Sequence, residues 1–86
     1  MKTLTKILVI DDERLILDCF ECAFLPPGYQ IISATSATAG LELFRAEKPD
    51  VVVLDVRMPD GSGLDVLREI HEHDAKIPVV LMTGFG

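Results

Sequence analysis

The sequence predicts an α/β protein: a doubly wound parallel sheet with strand order 2-1-3-4. Short apolar runs alternate with segments of helical period along the whole chain, giving the order βαβαβαβ. The runs Ile7-Leu8-Val9-Ile10, Val51-Val52-Val53-Leu54 and Val79-Val80-Leu81-Met82 show no polar alternation, as strands covered on both faces should. Right-handed crossovers then make the first and third strands the central pair, with the topological switch point between them.

Each element follows from local signals. Lys6–Asp11 reads as the first strand. Glu13–Leu25 is helical, with Ile16, Phe20, Ala23 and Phe24 on one face, and Pro26-Pro27-Gly28 ends it. Gln30–Ala34 is a short second strand. Ser36 is placed to cap a helix over Ala37–Glu47 whose Leu43 and Phe44 point inward. Gly40 weakens that helix by about 1 kcal/mol relative to alanine, which suggests close packing there. Pro49-Asp50 breaks the chain into the third strand, Val51–Asp55, followed by a loop over Val56–Ser62. Ser62 and Asp65 have capping-box spacing at the start of a helix over Gly63–His73. Ile77-Pro78 opens the fourth strand, Val79–Thr83.

With 86 residues the chain can be one domain at most, 1–86, expected to be incomplete at its C-terminus, and its 49% hydrophobic content suffices for a core. No apolar run approaches the roughly 18 residues of a membrane span, and the polar start Met1–Lys6 does not read as a secretory signal, so a cytoplasmic address is expected. The 14 acidic against 8 basic residues argue against nucleic-acid contact by this segment. Cys19 and Cys22 form a C-x-x-C in the middle of a helical pattern, not at a helix start where a redox pair would sit. They read as small buried hydrophobes.

The chemistry lies at the strand ends. Asp11 and Asp12 follow the first apolar run, Asp55 the third and Thr83 the fourth, and the carboxyl ends of such strands form the ligand crevice. Clustered carboxylates without competing nitrogen ligands suit Mg²⁺. Asp55 beside a metal could act as a nucleophile towards phosphorus, and the Thr83 hydroxyl could donate to a phosphoryl oxygen. Helix capping would account for Asp11 alone, but it does not account for all four on one rim.

Three segments resemble the receiver domain of two-component response regulators: Ile10-Asp11-Asp12-Glu13, Leu54-Asp55-Val56-Arg57-Met58-Pro59-Asp60-Gly61-Ser62-Gly63 and Leu81-Met82-Thr83-Gly84. The ending Leu81–Gly86 is most similar to receivers of enhancer-binding transcription activators. The resemblance implies a flavodoxin-like sheet and a role for each position. Asp55 would accept a phosphoryl group from a histidine kinase, and the domain would be a phospho-acceptor rather than an enzyme. Asp12 and Asp55 would ligate Mg²⁺ directly, Asp11 would act through water, and the Arg57 backbone carbonyl would complete the set. Thr83 would bind the phosphoryl group and switch, while Met58, Pro59 and Gly63 shape the loop.

Receivers of this family continue past the fourth strand into a fifth strand that carries a lysine. Here the lysines are Lys2, Lys6, Lys48 and Lys76, so the sheet is expected to lack its fifth strand and the phosphoryl group its partner cation. The chain then reads as a fragment of a longer regulator or as a truncated receiver, with its output domain missing. The exposed fourth strand should favour self-association, and Ile10, Leu54 and Leu81 are candidates for exposure. A degenerate receiver serving as an interaction module is the alternative function. A hydrolase of the haloacid-dehalogenase type fits less well, because it places its acids as D-x-D and Asp11-Asp12 are adjacent.

Overall fold

Side chains alternate across a strand, so a wholly apolar strand must bury both faces. The computed structural model, which describes residues 4–58 and 61–82, shows this in β1 (Thr5–Ile10). Leu8 and Ile10 enter one core with Ala34, Phe44, Val52, Leu54, Val66 and Ile70. Ile7 and Val9 enter a second core with Leu17 and Val53. The first core lies under α2 (Ala37–Glu47) and α3 (Gly63–His73), the second under α1 (Arg14–Ala23). Helices therefore cover both faces of the sheet, as expected of a doubly wound fold.

Beyond β1, the strands are β2 (Tyr29–Ala34), β3 (Val51–Asp55), the two-residue strands β4 (Arg57–Met58) and β5 (Gly61–Ser62), and β6 (Val79–Met82). The main sheet has the order β2-β1-β3-β6 with every pair parallel. This is the expected 2-1-3-4 arrangement, with β6 as the fourth strand. The segment read as a plain loop instead folds into an antiparallel ribbon, pairing Arg57 with Ser62 and Met58 with Gly61. None of the described helices is long and apolar enough to cross a membrane.

Local chemistry sets the element ends. Ser36 caps α2 as expected, its Oγ accepting from the Ala39 N–H at 3.1 Å. The other end of α2 closes on Lys48 in the left-handed region (φ 49°), a position that favours glycine. Asp50 ties β3 to β1, since its N–H donates to the Lys6 carbonyl and its Oδ2 accepts from the Lys6 N–H, both at 2.8 Å. The Ser62–Asp65 capping box lies outside what the structure describes.

Three sequence expectations are corrected. In α1 Phe20 and Phe24 pack against the second core as expected, but the fully buried residue is Leu17, while Ile16 is only partly buried and Ala23 is exposed. Cys19 and Cys22 are exposed free thiols rather than core residues. Ile10 and Leu54 are fully buried, because they lie on the face that α2 and α3 cover. Of the apolar residues expected at the surface, only Leu81 is exposed (40%), joined by Val80 (52%).

Gly40 shows why that coverage is tight. A Cβ on this residue would stand 2.5 Å from Ile10 Cδ1 and 2.8 Å from Ile10 Cγ1. The glycine lets α2 lie directly on the last residue of β1, immediately before the acidic pair.

Candidate functional site

β1 and β3 run side by side in parallel, with Ile10 in register with Leu54. Whatever follows each strand is therefore delivered to the same rim. Asp11 follows β1 and Asp55 ends β3, and both are buried, at 4% and 8% exposure. Asp12 stands beside them, exposed. Carboxylate oxygens of Asp11, Asp12 and Asp55 all lie within 4.8 Å of one another. Among the described residues no other group of three or more acids, histidines or cysteines comes together in this way.

Backbone donors fix two of the three carboxylates. Asp11 Oδ1 accepts from the Glu13 N–H at 2.9 Å, and Asp55 Oδ1 accepts from the Arg57 N–H at 3.1 Å. Asp11 thus holds the turn into α1, while Glu13 at the helix start makes no side-chain cap of its own. Asp11 therefore does not cap α1 itself but closes the turn that precedes it, and the same carboxylate belongs to the cluster. Burial pushes the Asp11 carboxyl above the usual carboxylate range. The Glu13 N–H opposes this by favouring the charged form, and the neighbouring Asp55, Asp12 and Glu13 charges add to the rise.

The loop after β3 is pressed against the site. The Val56 N–H donates to the Met82 carbonyl at 3.0 Å, and the Gly63 N–H donates to the Val56 carbonyl at 2.8 Å. A Cβ at Gly63 would overlap the Asp55 carbonyl oxygen and come within 2.7 Å of Val56 Cα. Only glycine lets α3 begin so close to the strand end. Met58 packs, partly buried, against the core below. The sequence signal for Gly63 was its family position alone; its physical role appears only in three dimensions.

The structure brings Asp11, Asp12, Asp55 and the Arg57 backbone to one place, with Gly63 behind them. It also sets Met82, the last residue of β6, in register with Asp55. Thr83 and Pro59 lie outside the described residues.

A doubly wound α/β sheet with an acidic cluster at its switch point belongs to the class of open α/β domains whose ligand crevice lies at the carboxyl ends of the strands. Within that class, residues 7–86 match the response regulator receiver domain family, and the chain belongs to it. Regulatory protein AtoC of Escherichia coli is 35% identical over the whole chain, which spans 19% of AtoC. A response regulator receiver domain protein from Clostridium thermocellum superposes with a TM-score of 0.86 at 40% identity, over 95% of this chain and 67% of that one. The response regulator protein TrrA of Thermotoga maritima, solved with Mg²⁺-BeF, gives 0.86 at 33% identity, over 95% of this chain and 71% of TrrA. The chain thus spans about a fifth of AtoC and a third of the probable transcriptional regulator ycf27 of Guillardia theta (34%).

Proposed function

We propose that this receiver accepts a phosphoryl group on Asp55 from a histidine kinase, in a Mg²⁺-dependent two-component phosphorelay. The observation that carries this reading is the meeting of Asp11, Asp12 and Asp55 within 4.8 Å, each in its family motif. The donor set fits the ion: three carboxylates, two of them buried, with no nitrogen or sulfur ligand in the cluster. Asp12, Asp55 and the Arg57 carbonyl would hold Mg²⁺, with Asp11 acting behind them. When bound, the ion offsets the charge of incoming phosphoryl oxygens against the carboxylates.

The chain's own residues do the rest. Arg57 N–H fixes the plane of the Asp55 carboxylate. A carboxylate oxygen forms the new O–P bond while the P–N bond to the kinase histidine breaks. The electron pair of that bond returns to the imidazole, and Thr83 would donate to a phosphoryl oxygen. The domain is consumed and regenerated as phospho-acceptor rather than turning over a substrate as an enzyme. An output domain elsewhere in the same regulator and a cytoplasmic address belong to this proposal.

Intact-mass measurement of the full-length regulator after exposure to acetyl phosphate and Mg²⁺ tests it. One added phosphoryl group is expected in the wild type and none in Asp55→Asn. Labelling of a serine, threonine or histidine instead overturns the assignment. Failure to label a folded protein would favour the interaction-module reading.

A second expectation concerns the metal. Two like charges about 5 Å apart repel by roughly 1–3 kcal/mol at effective dielectric constants of 20 to 80. Asp11→Asn removes one charge and keeps an acceptor for the Glu13 N–H, so it should stabilise the metal-free domain by about 1 kcal/mol. It should also reduce the stabilisation that Mg²⁺ confers, and Asp12→Ala should reduce it further. The pH dependence has a definite sign. A raised Asp11 means that the folded state binds this proton more tightly than the unfolded one. Its ionisation costs stability above the folded value, and the cost is relieved as pH falls through that value towards the ordinary carboxylate range. Thermal melts with and without Mg²⁺ at several pH values read all of this. Identical Mg²⁺ responses in wild type and Asp12→Ala would remove the metal site.

A further inference from the structure

The opposite end of the sheet carries a second feature. Where α2 and α3 finish, a groove of about 420 Å³ opens between them, lined by Phe44, Arg45, Lys48, Pro49, His73, Asp74 and Ile77. It lies at the amino-terminal edge of the strands, about 15 Å from the acidic rim by the length of β3. We propose that this groove binds a small organic anion with a flat apolar body, of the aromatic carboxylate class.

The floor and rim differ in chemistry. Phe44, Pro49 and Ile77 are buried and form an apolar base. The His73 ring stands 6.4 Å from that of Phe44, tilted by 56°, and extends the base to the surface. In a chain of net charge -6, Arg45 and Lys48 nevertheless both line this one groove, with the His73 ring beside them. Arg45 is occupied by Glu69 at 2.6 Å. No carboxylate among the described residues lies within ion-pair distance of Lys48. The one acid of the lining, Asp74, accepts from the Lys76 N–H at 3.0 Å through Oδ1, in its own turn. The cavity falls in the range of roughly 300–1,000 Å³ typical of small-molecule sites, and its pattern of apolar floor with few polar groups is theirs.

Lys48 provides the independent observation. It holds the left-handed residue that closes α2, where glycine would serve without strain. We read a lysine at this costly position as serving through its side chain. The ligand's apolar body would rest on Phe44, Pro49 and Ile77, and its anionic group would meet Lys48 and His73.

Benzoate is the probe. In a titration followed by ¹⁵N–¹H spectra, saturable shifts are expected at the amides of residues 44–48 and 73–77, with Kd on the order of 1 mM for so small a ligand. Neutral benzamide and the Lys48→Gly variant should each bind about fivefold more weakly, the worth of one exposed ion pair. Lys48→Gly also relieves the left-handed strain, so weaker binding cannot be ascribed to a lost fold. Equal binding of benzamide, an unchanged affinity in Lys48→Gly, shifts confined to the acidic rim, or no saturable shift would each overturn the proposal. None of these outcomes depends on phosphorylation of Asp55.

Discussion

Replacing Gly63 with alanine is expected to cost the domain about 3 kcal/mol or more, out of a total of 5–15 kcal/mol usual for a domain. The reason is that the new methyl meets backbone rather than flexible side chain: the Asp55 carbonyl oxygen first, then Val56 Cα at 2.7 Å. Neither can yield without moving the end of β3 or the start of α3, and the Gly63 N–H bond to the Val56 carbonyl would be strained with them. Displacement of Asp55 follows, so Mg²⁺ binding should fall together with stability. Two other glycines make internal controls. A Cβ at Gly28 meets nothing within 4 Å, and Gly28→Ala should be near neutral. At Gly40 the three atoms nearest the methyl all belong to the Ile10 side chain, and the gain of about 1 kcal/mol in helix propensity partly offsets the clash. Urea denaturation should therefore rank the variants Gly28, Gly40, Gly63 in order of rising cost. A Gly63→Ala protein within roughly 0.5 kcal/mol of wild type, inside the usual range for surface changes, would refute the close-approach argument.

That glycine illustrates what the chain discloses in one dimension and what it withholds. The apolar runs of β1 and β3 are long enough, and free enough of polar alternation, to show that both faces are buried. With the crossover rule they place Asp11, Asp12 and Asp55 on one rim before any coordinates are known. The site was legible because strand ends are marked by an abrupt change from apolar to acidic residues. The phase of α1 was not. Leu15, Ile16 and Leu17 are three consecutive apolar residues, and local pattern cannot say which of them faces the sheet. Among the described residues α1 alone covers that face, and it turns Leu17 inward, leaving Leu15 71% exposed and the two cysteines in solvent. Exposure of Ile10 and Leu54 was misjudged for a related reason. Their face depends on strand parity, and parity assigns them to the side where Gly40 lets α2 settle onto the sheet. The ribbon of β4 and β5 carries no periodic signal, since two residues per strand are too few to have one.

The 86-residue chain is expected to self-associate through β6. This strand pairs with β3 on one side, and among the described residues no strand pairs with its other side. An unpaired row of N–H and C=O groups is a template for another strand. Register adds an apolar component, because Val80 is level with Val53 of one core and Leu81 with Leu54 of the other. The two side chains therefore point to opposite faces, and they are 52% and 40% exposed. Covering each would contribute about 1 kcal/mol or more, in addition to the hydrogen bonds of a new ladder. Pairing between two copies at Val79–Met82, or exchange of elements between them, satisfies both needs at once. Sedimentation at micromolar concentration should show a dimer or larger species that dissociates on dilution. Val80→Lys should shift the equilibrium towards monomer without disturbing the fold, since the position is already half in solvent and a charge at an edge blocks pairing. A stable monomer that unfolds cooperatively at micromolar concentration would sink this expectation, as would a dimer indifferent to Val80→Lys.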